Sequence, residues 1–190
     1  MGKLIYSMIT SLDGYVRDRD GNFGWGAPEQ ESHEFLHSSM QSVGTYLMGR
    51  RMYETMVYWE TAHLQLDQPQ FVLDFARTWQ AATKIVYSTT LQEVSSERTR
   101  IERTFDPVAV QQLKADSPHD LTIDGPDLAA HALRAGLVDE IHPIIGPAIV
   151  GGGLRFLPGD VQLDLQLLDQ RFFGNGVVYL RYGVKGSTVA

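Results

Sequence analysis

Five times along this chain a short apolar run, rich in β-branched and aromatic residues, stops at glycine or at small polar residues. The stops are Asp13-Gly14, Gly49-Arg50-Arg51, Ser88-Thr89-Thr90, Gly125-Pro126 and Gly146-Pro147. Between the runs, apolar residues recur at helical spacing. Strands that alternate with helices form an α/β sheet with helices on its faces, and the chain has few other ways to bury both patterns.

The segments read in order. Residues 3–12 (KLIYSMITSL) form a strand ended by a turn, and residues 17–28 form a long Asp-, Gly- and Asn-rich loop carrying Trp25. Pro28 suits a first helical turn, and Glu29 and Glu31 suit the positive end of a helix dipole. With Leu36, Met40 and Val43 at helical spacing, this predicts a helix over 29–42. Thr45 to Met48 reads as a buried strand and 50–56 as a helix. Phe71, Phe75 and Trp79 mark another helix over 69–81, and Lys84 to Tyr87 is a strand. The charged stretch 92–104 holds an edge strand. Asp106 caps a helix over 107–115, residues 121–124 are a strand, 127–135 a helix ending at Gly136, and 138–145 a strand. Gly151-Gly152-Gly153 reads as a turn between strands, and Asp139-Glu140 as solvated surface. Strands over 163–173 and 177–184, joined by Gly174-Asn175-Gly176, form a terminal antiparallel hairpin that makes the sheet mixed, with a loose tail behind it.

Composition excludes several classes of function. Lys and Arg total 16 against 23 Asp and Glu, a formal charge of −7, which disfavours nucleic acid or an anionic membrane as partner. Cysteine is absent, so disulfides, Cys-ligated metals and thiol catalysis are out. The first apolar run alternates and is interrupted by Ser, Thr and Asp, as in a strand rather than a signal peptide. One cytoplasmic domain over residues 1–190 is the expectation.

Several positions have chemistry to offer. In an open α/β sheet ligands collect at the carboxyl ends of strands, and amides at helix N-termini suit phosphate. Gly49-Arg50-Arg51, Ser88-Thr89-Thr90 and Gly125-Pro126-Asp127-Leu128 are three such junctions. His33-Glu34-Phe35-Leu36-His37 is an H-E-x-x-H match that could hold zinc with Glu34 as base. No third ligand has a recognisable place, so no metal is expected. Asp13 could hold a substrate donor group or simply form a turn.

Taken in order, SLDGYV, the DGNFGW loop, YLMGRRMYE, KIVYSTTL and IDGPDLAAHALRAGLVDEIHPIIGPAIVGGGLRFL resemble the dihydrofolate reductase superfamily. The nearer branch is the reductase domain at the C-terminus of bifunctional riboflavin-biosynthesis enzymes, with its stand-alone relatives. The resemblance implies a three-layer fold, with a mixed, mainly parallel sheet between helices, and NADPH as cofactor. It places Gly49, Arg50 and Arg51 at cofactor phosphate, with Arg50 the first choice for the grip. Ser88, Thr89 and Thr90 fall near the adenosine end, and Gly125, Pro126, Asp127 and Leu128 under the pyrophosphate. Ile9 to Asp13 and Trp25 fall beside the nicotinamide.

Two departures stand out. Asp124 replaces a glycine of many relatives, which puts a side chain and a negative charge beside the expected pyrophosphate. Ile123 stands where riboflavin-pathway reductases carry Glu, and Gln30 where dihydrofolate reductases carry an acid. The leading reading is an NADPH-dependent reductase that transfers hydride to a C=N or C=O bond of a small pterin- or ribosylaminopyrimidine-like heterocycle. Asp13, Glu29, Glu34 and His33 are its candidates for substrate binding or proton supply. The rivals are a nucleotide-binding module without turnover, favoured by Asp124, and a zinc hydrolase on His33, Glu34 and His37. A homodimer is expected through the apolar hairpin strands LDLQLL and VVYLRY.

Overall fold

The computed structural model describes residues 1–26 and 29–185, so Pro28 and most of the expected tail lie outside the described residues. The strands are β1 (Leu4–Ser11), β2 (Tyr15–Arg17), β3 (Val43–Gly49), β4 (Thr83–Tyr87) and β5 (Thr99–Glu102), then β6 (Asp120–Asp124), β7 (Glu140–Gly146), β8 (Leu154–Arg155), β9 (Leu165–Phe172) and β10 (Val178–Val184). The helices are α1 (Gln30–Ser39), α2 (Arg50–Met56), α3 (Tyr58–Thr61), α4 (Gln70–Ala81), α5 (Pro107–Asp116) and α6 (Pro126–Arg134).

Eight strands form one sheet in the order β5-β4-β3-β6-β1-β7-β10-β9. Pairings from β5 to β7 are parallel, and the two involving β10 are antiparallel. β2 and β8 make a separate small pair. From β1 the chain crosses to β3, runs outward to β5, then returns to insert β6 between β3 and β1. That reversal opens a crevice above the carboxyl ends of β3, β6 and β1.

Two apolar layers cover the sheet. On one face Leu4, Tyr6, Leu47, Ile85 and Ile123 pack with Val110 of α5 and Leu128, Ala129, Ala132 and Leu133 of α6. On the other, Ile5, Tyr46, Met48 and Val86 pack with Trp79 of α4, and Met40, Met52 and Phe75 close over them. The expected three layers are therefore present, with mixed strands and a terminal antiparallel hairpin.

Local signals fixed most boundaries. Asp106 accepts from the Val108 amide at 2.9 Å and caps α5 as its sequence suggested. α1 stops at Ser39, short of 42, because the chain turns at Met40 and gives Val43 to β3. The Gly151–Gly153 turn lies against the β2 loop, where a Cβ on Gly153 would collide with the Arg17 carbonyl.

Asp139-Glu140 is not solvated surface. Glu140 is only 3% exposed. It accepts from Lys3 Nζ at 2.6 Å, Arg181 Nε and Nη2 at 2.7 and 3.0 Å, and His142 Nε2 at 2.9 Å. Asp139 accepts from the Leu4 amide and Lys114 Nζ, both at 2.7 Å. Most of these partners, Lys3, Leu4, Lys114 and Arg181, lie far away in sequence, which a local reading of two adjacent acids leaves out.

Candidate functional site

The strand-end junctions meet above the sheet. β3 stops at Gly49, where a Cβ would find open space, and α2 starts at Arg50. Arg50 Nε donates to Glu54 at 2.7 Å, and its Nη1 reaches Thr90 Oγ1 at 3.0 Å, joining the α2 junction to the β4 junction. Ser88 Oγ accepts from the Thr90 and Leu91 amides and holds that turn in shape. Arg103 Nη1 braces it from behind, donating to the carbonyls of Ser88 and Leu91. At β6 the chain turns through Gly125, whose φ of +97° suits glycine. α6 follows without a side-chain cap, so its first-turn amides have no side-chain acceptor.

These junctions line one cleft of about 1190 Å³. Ile9, Gly49, Arg50, Arg51, Ser88, Thr89, Thr90, Gly125, Pro126, Asp127 and Leu128 all border it. Spacing alone had not singled out Arg17, Phe23, Tyr46, Arg103 or His131, which border it too. Arg103 lies in a charged stretch with no local signal, whereas strand alternation could have placed Tyr46 on a cleft-ward face.

The cleft has two characters. Around α2, the β4 turn and α6 it is polar and basic. Toward α1, α4 and β7 it is apolar, walled by Leu36, Met40, Phe75, Ile9 and Ile144. Asp124 sits where the halves meet. The register pairs Tyr46 with Thr122 and Met48 with Asp124, and Tyr46 and Met48 pack on the α4 side of the sheet. Asp124 therefore turns toward the apolar half, on the face opposite the one that α6 covers. Thr122 Oγ1 donates to its Oδ2 at 2.9 Å. Burial pushes its pKa up to about 7, against the lowering pull of that hydroxyl.

The model of the RibD C-terminal domain matches residues 2–179. The chain belongs to this family. A comparison with curated proteins finds no match. Among solved structures, a protein assigned to riboflavin biosynthesis from Shewanella sp. PV-4 superposes with a TM-score of 0.72 at 21% identity, covering 96% of this chain and 99% of that one. A pyrimidine reductase-like protein from Corynebacterium diphtheriae gives 0.70 at 17% identity, covering 98% and 93%. A diaminohydroxyphosphoribosylaminopyrimidine deaminase/5-amino-6-(5-phosphoribosylamino)uracil reductase from Thermotoga maritima gives 0.65 at 14% identity, covering 97% of this chain but 57% of that one.

In this RibD C-terminal domain the four candidates for substrate or proton chemistry do not border the cleft. Asp13 accepts from Ser11 Oγ at 2.7 Å and from the Val150 and Gly151 amides at 3.1 and 2.8 Å. The Ser11 hydroxyl and those amides lower its pKa against a smaller desolvation penalty, so it clamps the β1 turn to the glycine-rich loop as a carboxylate. Glu29 is exposed at the start of α1, and Glu34 faces solvent, bonded to Gln30 at 2.9 Å. His33 is enclosed by Trp59, Phe71 and Phe75, with ring centroids 4.9–5.7 Å away, and burial lowers its pKa. His37 Nε2 bonds Thr78 Oγ1 at 2.9 Å. The H-E-x-x-H residues thus have separate partners, and among the described residues no cluster of three metal-ligating side chains forms. Trp25 also lies off the cleft, which Phe23 borders from the same loop and Arg17 from the end of β2.

Proposed function

We propose that this chain is a cytoplasmic NADPH-dependent reductase that transfers hydride to a C=N or C=O bond of a small pterin- or ribosylaminopyrimidine-like heterocycle. The observation that carries the reading is the convergence of all three junctions on one cleft. Its volume of about 1190 Å³ exceeds the ~300–1,000 Å³ of an ordinary single-ligand site, leaving room for a dinucleotide and a substrate together. The pyrimidine reductase-like protein from Corynebacterium and the deaminase/reductase from Thermotoga, which share the fold, point the same way.

The residues present fit the cofactor. The open backbone at Gly49 and the uncapped start of α6 suit close approach of phosphate. Arg50 and Arg51 concentrate positive charge against a net charge of −7, as a ribose 2′-phosphate requires. Ser88, Thr89 and Thr90 offer hydroxyls to the ribose end. When bound, NADPH supplies the hydride. The apolar wall of Leu36, Met40, Phe75 and Ile144 would sandwich a flat ring and exclude water from it. The rival reading, a module without turnover, rests on Asp124 crowding the pyrophosphate, and the side chain's turn toward the apolar half favours the reductase over it.

The test is oxidation of NADPH, followed by its near-ultraviolet absorbance, with a dihydropterin and a ribosylaminopyrimidine as probes. Reduction of either supports the reading, and reduction of neither contradicts it. We further propose a homodimer. The edge strand β9 exposes Leu167, Leu168 and Phe172, an apolar edge of the kind proteins normally cover. Light scattering should give twice the chain mass, and the mass of one chain would contradict the dimer.

A further inference from the structure

Three carboxyl groups border the cleft among the described residues: Glu54, Asp127 and Asp124. Glu54 is half-exposed and paired with Arg50 at 2.7 Å. Asp127 is exposed on the first turn of α6. Asp124 alone is buried, 9% exposed, at the end of the strand inserted in the middle of the sheet. One of its oxygens accepts from Thr122. The other has no hydrogen-bond partner among the described residues, and no Lys, Arg or His among them bonds either oxygen. A mostly buried carboxyl group whose second oxygen still opens onto the cleft is placed to meet a polar atom of a ligand that enters there.

We propose that Asp124 is the acid that protonates the substrate, an inference that rests on the reductase reading above. Hydride adds to the carbon of the C=N or C=O bond, and the π-electron pair moves to the nitrogen or oxygen. That atom forms a bond to the Asp124 proton as the carboxyl O–H bond breaks. Water entering the cleft returns a proton to the carboxylate. Reduced nicotinamide is the reductant and the substrate bond is what is reduced, so electrons and protons balance. The proposal fixes the substrate's pose: its heteroatom faces the end of β6, and its ring lies against Leu36, Met40 and Phe75.

The electrostatics suit this role. Tyr46 from β3 shares the face of Asp124, and Tyr6 from β1 lies on the opposite face within reach of its charge; both phenols are pushed up first by burial and then by that charge, so both stay neutral. Asp127 on α6 adds a further negative charge that acts on Tyr6. α1 and α4 present Leu36 and Phe75, with Met40 just after α1, and the arginines that border the cleft are Arg17, Arg50, Arg51 and Arg103. With its pKa up at about 7, the acid is populated in both states near neutrality, the condition under which a general acid works best.

Two measurements test this. In ligand-free protein carrying carbon-13 at the aspartate carboxyls, one signal should titrate near neutrality, vanish in Asp124→Asn, and move to higher pH in Thr122→Val, which loses the lowering hydrogen bond. With the dihydropterin and ribosylaminopyrimidine probes, the rate should fall as pH rises through that same value. Asp124→Asn should lose about a hundredfold in rate, together with that pH limb, while NADPH affinity stays within about twofold. In Thr122→Val the limb should move upward with the signal, and this variant decides the matter if Asp124→Asn does not fold. An Asp124 that titrates in the ordinary carboxylate range, or an Asp124→Asn protein that reduces a probe at the wild-type rate, overturns the proposal alone. A wild-type protein that reduces neither probe overturns the reductase reading and this proposal with it.

Discussion

Glu140 and Asp124 are both buried carboxyls on central strands, and the structure treats them in opposite ways. Glu140 stands at the amino end of β7, away from the cleft, and receives four hydrogen bonds from Lys3, Arg181 and His142. Burial alone would raise its pKa, but bonds from Arg181, Lys3 and His142 outweigh it and bring the value down to about 2. Asp124 stands at the carboxyl end of β6, receives one hydroxyl, and rises to about 7. The same chemical group is a closed structural anchor at one end of the sheet and an open acid at the other. The number of donors aimed at each oxygen makes the difference, and the cleft is where donors are missing.

The largest effect expected from breaking this contrast is at the anchor. Glu140→Gln leaves Arg181 and Lys3 without their counter-charge and should cost about 3–5 kcal/mol, toward the low end because both cations are partly exposed. Denaturant unfolding checks it, and a loss under about 1 kcal/mol would show that the network is not an anchor. The pH sign follows from the lowered pKa. The wild-type contribution is complete above the ordinary value of 4.5 and disappears as pH falls toward about 2, and the variant should lack that slope.

The sign reverses at Asp124. Its raised pKa means that ionisation opposes folding, so the penalty is absent below the ordinary value of 3.8 and grows until pH passes about 7. Asp124→Asn should therefore stabilise the protein by about 1–3 kcal/mol near pH 8, below the ~4 kcal/mol that the full shift would allow, and by far less near pH 4. Thermal unfolding at the two pH values checks it. A variant less stable than wild type at the higher pH would place Asp124 with Glu140 as an anchor.

The smallest effect concerns cofactor choice. Arg50 is held between Glu54 and Thr90, so its guanidinium is positioned but shared, whereas Arg51 makes no side-chain hydrogen bond among the described residues. Replacing either by Ala should leave NADH affinity nearly unchanged. At least one replacement should lower the NADPH/NADH affinity ratio about tenfold, equivalent to about 1.4 kcal/mol. Ratios unchanged in both variants would mean that neither Arg meets the phosphate.

How much of this was legible in the sequence follows from the range of the interactions. The junctions at Gly49, Ser88 and Gly125 were readable because turn chemistry is local, and the ten residues chosen there border a single cleft. The acids were misjudged because their environment is assembled from afar. Glu140 depends on Lys3, just before β1, and Arg181 of β10, both remote in sequence. Asp124 depends on the register that aligns Met48 with it. Glu34 and His33 looked catalytic because α1 was expected near the substrate, but α1 turns Leu36 into the cleft instead, joined by Met40 just after it. Residues 57–64 form two short helical turns with too little periodicity to read, yet Trp59 from them walls in His33.

The central claim is that the cleft over β3, β6 and β4 binds a phosphorylated nicotinamide dinucleotide. Titration of the unaltered protein with NADPH and separately with NADH, followed by quenching of tryptophan fluorescence, tests it most directly. The account predicts saturable binding of one NADPH per chain, about tenfold or more tighter than NADH. Equal affinity for the two, or no saturation with either, would contradict it.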